Sequence, residues 1–255
     1  MKTRIYTSFE ETIEDFPDGA SLMVFCWGVS GTPQNLLHAL KQKAVKDLTL
    51  ITHNVVPASV GKSVLWDVVT PFMLADQVKK LVTAWPGMSY LGMESPMERR
   101  IREGKTELEL VSHGILVERI RAGGAGIGGF YSPAGIGTVV ERGKEKRVLD
   151  DGREYLLEKP LTADFGFIRA HRADKLGNLV YRGGGRGCNP VMATACRTVI
   201  AEVDEIVEVG ELDAETIITP GIYVNRLVQV PERGLGSARH RRELLSRFPT
   251  QGQKS

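Results

Sequence analysis

Two rhythms of apolar positions run along the chain, one with the period of a helix and one with the length of a buried strand. Phe9, Ile13 and Phe16 recur at helical spacing behind Ser8 and Glu11, which resemble a capping box, so residues 8–16 read as a short amphipathic helix. Asp18-Gly19 turns the chain, and the unbroken apolar run Leu22 to Trp27 has the length and composition of a buried strand. Thr32-Pro33 supplies an N-cap and a first-turn proline for the next helix, whose inner face is Leu36, Leu37, Leu40 and Ala44. Leu48 to Thr52 and Val78 to Ala84 read as further buried strands, and Ser95-Pro96-Met97-Glu98 opens a helix with both cap and proline. Thr106 to Val111 alternates polar and apolar. Ile115 to Ala122 reads as a helix ending at Gly123, and a glycine-rich stretch then leads to a strand pair around 139–158. Ala163 to Ala170, Leu179 to Arg182 and Val199 to Val203 are strand candidates, with a glycine-rich turn at 183–187. This alternation predicts an α/β fold with an open, largely parallel sheet and helices on both faces.

With 255 residues and 42% hydrophobic composition the chain can bury a full core. One domain over residues 1–231, followed by a basic tail over 232–255, is the simplest division. The tail carries six Lys/Arg against two acidic groups, which turns the overall net charge of +2 into −2 for the body. The body is therefore no electrostatic binder of nucleic acid. Ala238, Leu244, Leu245 and Phe248 of the tail fall on one helical face suited to a partner chain. Five acidic residues and no apolar run in the first twenty argue against a signal peptide, no later run is long enough to span a bilayer, and three cysteines without a CxxC pair argue against a disulfide framework. The expectation is a cytoplasmic protein with no membrane segment.

Gly124 to Gly129 satisfies GxGxxG, but a helix precedes it and Pro133 follows, the reverse of a dinucleotide-binding turn. The bland reading is a loop that needs close backbone approach. Gly61-Lys62-Ser63 looks like the end of a phosphate-binding loop, yet its first glycine would fall at Val56, so Lys62 reads as a surface lysine near a helix start. The histidines 38, 53, 113, 171 and 240 lack the spacing of a metal site. His53 and His113 stand apart because each follows a predicted strand, where open α/β sheets collect ligands. No GxSxG elbow appears and no cysteine has an obvious base, so the chain announces no nucleophile.

The stretch Asp18-Gly19-Ala20-Ser21-Leu22-Met23-Val24, continuing to Gly31-Thr32-Pro33, resembles the signature of the A (alpha) subunit of 3-oxoacid CoA-transferases of family I, the succinyl-CoA:3-oxoacid and 3-oxoadipate type. Leu116 to Gly126 with Phe130 to Thr138 is similar to that family's second glycine-rich stretch. Ala163-Asp164-Phe165, Lys175 to Arg182, Arg186 and Ile218 to Val224 extend the resemblance over residues 5–230. It implies an enzyme that moves CoA between an acyl-CoA such as succinyl-CoA and a carboxylic acid, with CoA as substrate and no cofactor. It also implies a B subunit carrying the nucleophilic glutamate in a Ser-Glu-Asn-Gly segment absent here, and an A2B2 heterotetramer or similar assembly.

The resemblance carries the acyl and oxyanion cleft onto Trp27, Gly28 and Gly31, onto His53 and Asn54 after the second strand, and onto His113, with Gly126, Gly128, Gly129 and Phe130 walling the same space. The chain departs from the family at three places. Phe25-Cys26-Trp27 replaces Gly-Gly-Phe, His53-Asn54 replaces Asn-Asn, and His113 replaces a glutamine that is an oxyanion donor in the family. A histidine still donates an N–H, with different reach and charge. These changes point to a longer, aromatic or branched acyl group stacking on Trp27, or else Phe25 and Trp27 simply fill the core. Two other readings remain: an acyl-CoA hydrolase or carbon–carbon-cleaving relative with His113 as general base, and a ligand-sensing module, for which residues 1–20 are too short and acidic to bind DNA.

Overall fold

In the computed structural model, which describes residues 3–25, 30–56, 58–60, 63–65, 70–87, 92 and 94–246, the strand and helix alternation closes into one large sheet. The elements that build it are β1 (Arg4–Tyr6), α1 (Phe9–Thr12), β2 (Ser21–Met23), α2 (Gln34–Lys43) and β3 (Leu48–Ile51). A hairpin β4 (Ala58–Val60) and β5 (Ser63–Leu65) follows, then β6 (Val78–Thr83), α3 (Pro96–Arg102), β7 (Glu107–Leu110) and α4 (His113–Ala125). A small antiparallel sheet of β8 (Phe130–Ser132), β9 (Lys146–Val148) and β10 (Glu154–Glu158) interrupts the alternation. The chain returns through β11 (Ala163–Asp174), β12 (Leu179–Val180), α5 (Asn189–Ala195), β13 (Cys196–Val207) and β14 (Arg226–Gln229), and ends in α6 (Ala238–Ser246).

The strand order is β1-β14-β13-β11-β2-β3-β6-β7, every pair parallel, with β12 antiparallel on β11. Alternation across the sheet sorts the side chains into two cores. Leu22, Val24, Leu50, Leu81 and Phe167 face α2 and its Leu36, Leu37 and Leu40. Met23, Phe25, Ile51, Val82 and Ile168 face α4 and α5. Helices thus cover both faces, as parallel sheets require. From β2 the strands step outward through β3, β6 and β7, while β11 steps the other way, so the topological switch point lies between β2 and β11. That crevice is where open α/β sheets bind ligands.

Several local expectations are corrected by tertiary contacts. The first helix is only Phe9–Thr12, capped by Ser8 accepting from the Glu11 amide, because Phe16 leaves the helical path to stack on Phe165 at 4.2 Å. Thr32 does not cap α2. Instead the Glu202 carboxylate accepts from the Asn35 and Leu36 amides, each at 3.0 Å, so a strand 166 residues away supplies the cap. Ala44 is not on the inner face; it is exposed and ends α2 in the left-handed conformation, φ 55°. Helix α4 runs through Gly123 and Gly124 and stops at Gly126, φ 69°. A Cβ on Gly123 would stand 2.3 Å from the Leu161 oxygen, and one on Gly124 would stand 2.0 Å from Thr194 Oγ1. The glycines of the false dinucleotide motif therefore let α4 lie tightly on its neighbours. Lys62, expected near a helix start, lies outside the described residues.

The start of the tail is tied to the body. Asn35 donates to the Leu235 oxygen at 2.7 Å and accepts from its amide at 3.1 Å, and Arg169 Nη2 donates to the Gly236 oxygen at 3.2 Å. Helix α6 follows; the side chains of Ala238, Leu244 and Leu245, and Phe248 as a whole, lie outside the described residues.

Candidate functional site

Strand β3 ends at Ile51, and the chain continues through Thr52 to a bridge between Asn54 and Trp85 beyond the end of β6. This extension turns the His53 ring inward, where it is 7% exposed. It stacks on Phe25, which follows β2, with ring centroids 5.4 Å apart and planes at 28°. Across the cleft the His113 ring lies 6.0 Å away. His113 is the first residue of α4 and is exposed. The first acceptor of that helix is the Ser112 oxygen, bonded to the Leu116 amide at 2.8 Å. The amides of His113, Gly114 and Ile115 therefore lack acceptors within the helix and form its positive end, a place suited to negative charge.

Burial, helped by the nearby His113, lowers the His53 pKa to about 4, so the ring is neutral at pH 7. Asn54 Nδ2 donates to His53 Nε2 at 2.6 Å, which leaves the ring's single proton on Nδ1. Asn54 thus orients His53 instead of lining the cavity.

The opposite wall comes from loops on the other side of the switch point. Gly31 and Gly185 touch: a Cβ on Gly31, whose φ is 70°, would stand 2.6 Å from the Gly185 oxygen. Asn189, at the start of α5, holds the two loops together, donating to the Gly185 oxygen at 3.0 Å and the Gly31 oxygen at 3.4 Å while accepting from the Arg169 amide at 3.1 Å. Together Phe25, Gly31, His53, His113, Val117 and Cys188 are among the residues around a cavity of about 230 Å³. Burial pushes the Cys188 thiol up, and among the described residues neither it nor Ser30 hydrogen bonds to a base. Among the described residues this cleft presents donors but no activated nucleophile.

A second cavity, about 380 Å³, lies across the Ser30–Gly31 and Gly184–Gly185 wall and is lined by Arg169, His171, Arg182, Asp204 and Arg242 among others. Its floor is a buried network. Arg169 donates to Glu202 at 2.9 Å and to Asp204, and His171 meets Asp204 at 3.0 Å. Burial raises the Glu202 pKa against the opposing pull of Arg169 and the Leu36 amide.

Of the residues singled out from sequence, the structure therefore brings His53, His113 and Gly31 to one cleft and sets Asn54 behind His53. Trp27 and Gly28 lie outside the described residues. Gly126, Gly128, Gly129 and Phe130 do not reach this cavity: they sit past the far end of α4, roughly 18 Å along its axis from His113. Phe130 packs instead on the α4 and α5 core. Val117, Cys188 and Asn189 were missed. Asn189-Pro190 after a glycine turn was the available signal, being a helix start placed beside a strand end.

Against this geometry stand the likenesses to known proteins. A family model described as Coenzyme A transferase matches residues 6–230. The A subunit of the 3-oxoadipate CoA-transferase of Pseudomonas putida is 44% identical over 230 residues, 90% of this chain and 95% of that one. Among solved structures, the acyl-CoA transferase YdiF of Escherichia coli O157:H7, as a thioester complex with CoA, superposes with a TM-score of 0.73 at 22% identity; it covers 92% of this chain, which spans about half (51%) of the YdiF chain. A cysteine-to-serine variant of the decarboxylase AibA/AibB also superposes with a TM-score of 0.73, at 26% identity over 97% of this chain and 93% of that one. With the family model covering most of its length and a relative of the A type matched end to end, this chain belongs to the coenzyme A transferase family as one of its A subunits.

Proposed function

We propose that this chain is the A subunit of a heteromeric, cytoplasmic CoA-transferase that moves CoA between an acyl-CoA and a carboxylic acid of the 3-oxoacid type. A separate B subunit supplies the nucleophilic glutamate, CoA is a substrate, no cofactor is needed, and the assembly is an A2B2 heterotetramer or a similar heteromer. The observation that carries the reading is a cleft at the switch point that offers N–H donors, from His113 and the start of α4, but, among the described residues, no activated nucleophile. Among the described residues no helix is long and apolar enough to cross a membrane, in keeping with the proposed location.

The chemistry this division allows is direct. The partner's glutamate carboxylate attacks the thioester carbonyl and the CoA thiolate leaves, giving a mixed anhydride. The thiolate then attacks the glutamyl carbonyl and releases the acyl carboxylate, leaving a glutamyl-CoA thioester. The acceptor acid runs the two steps in reverse. Each attack builds negative charge on a carbonyl oxygen, and preplaced donors at the mouth of a cleft stabilise it.

The test is CoA transfer to a panel of 3-oxo acids, with succinyl-CoA and acetyl-CoA as alternative donors, by this chain alone and co-purified with its B subunit. Turnover only with both chains is expected, and His113→Ala should lower kcat about 10²-fold with little change in Tm, because the side chain is exposed. Loss of acyl-CoA without a new CoA ester would instead establish a hydrolytic or carbon–carbon-cleaving reaction.

A further inference from the structure

We infer that the acyl group held in this cleft ends in an uncharged, apolar group of aryl or branched-aliphatic size, and not in a second carboxylate. The inference rests on the transferase reading for the kind of ligand and on the cavity for its chemistry.

The apolar side chains that reach the cavity among the described residues are Phe25, Val117 and Cys188. Among the described residues no polar side chain carries a positive charge into the floor, Ser30 and Asn189 having none to offer. His53 is neutral, and its exposed partner His113 stands at the mouth. The Asn189 amide is used up on Gly31, Gly185 and Arg169. The guanidinium groups of Arg169, Arg182 and Arg242 all line the neighbouring cavity, beyond the wall that Gly31 and Gly185 close by contact. A carboxylate in the 230 Å³ cavity would therefore lose its water without gaining a cation from the described residues, a costly exchange.

Size points the same way. An apolar cavity of about 150 Å³ takes benzene, so about 230 Å³ admits a phenyl ring with room for the carbons that join it to the thioester. An acetyl-sized group would leave most of that space unfilled. Each methylene gained or lost in such a pocket changes kcat/KM by roughly 10- to 200-fold.

The experiment uses the complex with its B subunit, acetyl-CoA as common donor, and benzoylacetate, acetoacetate and 3-oxoadipate as acceptors. The last is the acid named in the Pseudomonas putida relative. The expected order in kcat/KM is benzoylacetate first, about tenfold or more over acetoacetate and further ahead of 3-oxoadipate. Val117→Phe, which fills the cavity, should cut the benzoylacetate-to-acetoacetate ratio about tenfold or more, whereas Val117→Ala should not. A 3-oxoadipate rate equal to or above that of benzoylacetate, or a ratio that Val117→Phe leaves in place, overturns the inference while the transferase reading stands. Should no acid accept CoA, the transferase reading falls and calorimetric binding to the same complex decides. Benzoylacetate bound, 3-oxoadipate not, and weakening by Val117→Phe uphold the cavity chemistry; equal binding of both acids, or of neither, ends it.

Discussion

Acid should destabilise this protein through His53. The ring is 7% exposed, and its folded pKa of about 4 lies below the ordinary 6.5. In the window between those two values the unfolded chain binds a proton that the folded chain does not, so stability rises with pH there and falls as pH drops through it. The loss starts near 6.5 and is complete below about 4. Between pH 7.5 and pH 5 the two proton-binding curves differ by about 1.5 logarithmic units, which is about 2 kcal/mol at 1.36 kcal/mol per unit. For a chain of this length that corresponds to roughly 4–8 °C in Tm. The comparison is His53→Gln, whose side-chain oxygen can still accept from Asn54 but which carries no titrating group. Thermal melts of both proteins at matched ionic strength should show wild type losing about 4–8 °C more than the variant over that drop. Equal losses would mean that His53 is not the group that titrates, and that the cleft is wetter than its stacking on Phe25 implies.

Two further outcomes follow from the buried network. Arg169→Met strands the Glu202 carboxylate, which is fully buried, and should cost about 3–5 kcal/mol in urea unfolding. Adding Glu202→Gln should recover part of that, since no charge is then left at position 202 and the amide oxygen still accepts from Asn35 and Leu36; a single-variant loss under about 1 kcal/mol would show that the pair matters little. Deleting residues 233–255 removes the bonds from Asn35 to Leu235 and from Arg169 to Gly236, and should cost about 1–3 kcal/mol. An unchanged melting curve would mean that the segment is not held to the body.

The α/β class and the central strands were legible because buried parallel strands leave apolar runs, as at Leu48 to Ile51, whereas the short β1 and β14 were not. The cap and proline at Ser95-Pro96 read correctly, since a capping box needs only neighbours, and here both of its bonds form. The candidate site was half legible. His53 and His113 each follow a strand, which locates them at the carboxyl edge of the sheet. The glycine and aromatic stretch from Gly126 to Phe130 was placed in the cleft by resemblance, and the unbroken helix through Gly123 and Gly124 carries it away.

Local spacing and polarity, then, determined by themselves the α/β alternation and the two-faced, largely parallel sheet. Only the tertiary structure decided what depends on strand order. The reversal between β2 and β11 places Gly31 against Gly185 and sets Asn189 to hold them together. It also lets Glu202 cap a helix 166 residues away. The same reversal separates the cleft around His53 from the arginine-lined cavity beside it. No local pattern encodes such pairings, because their partners meet only when the sheet closes and buried polar groups must then find partners within the protein.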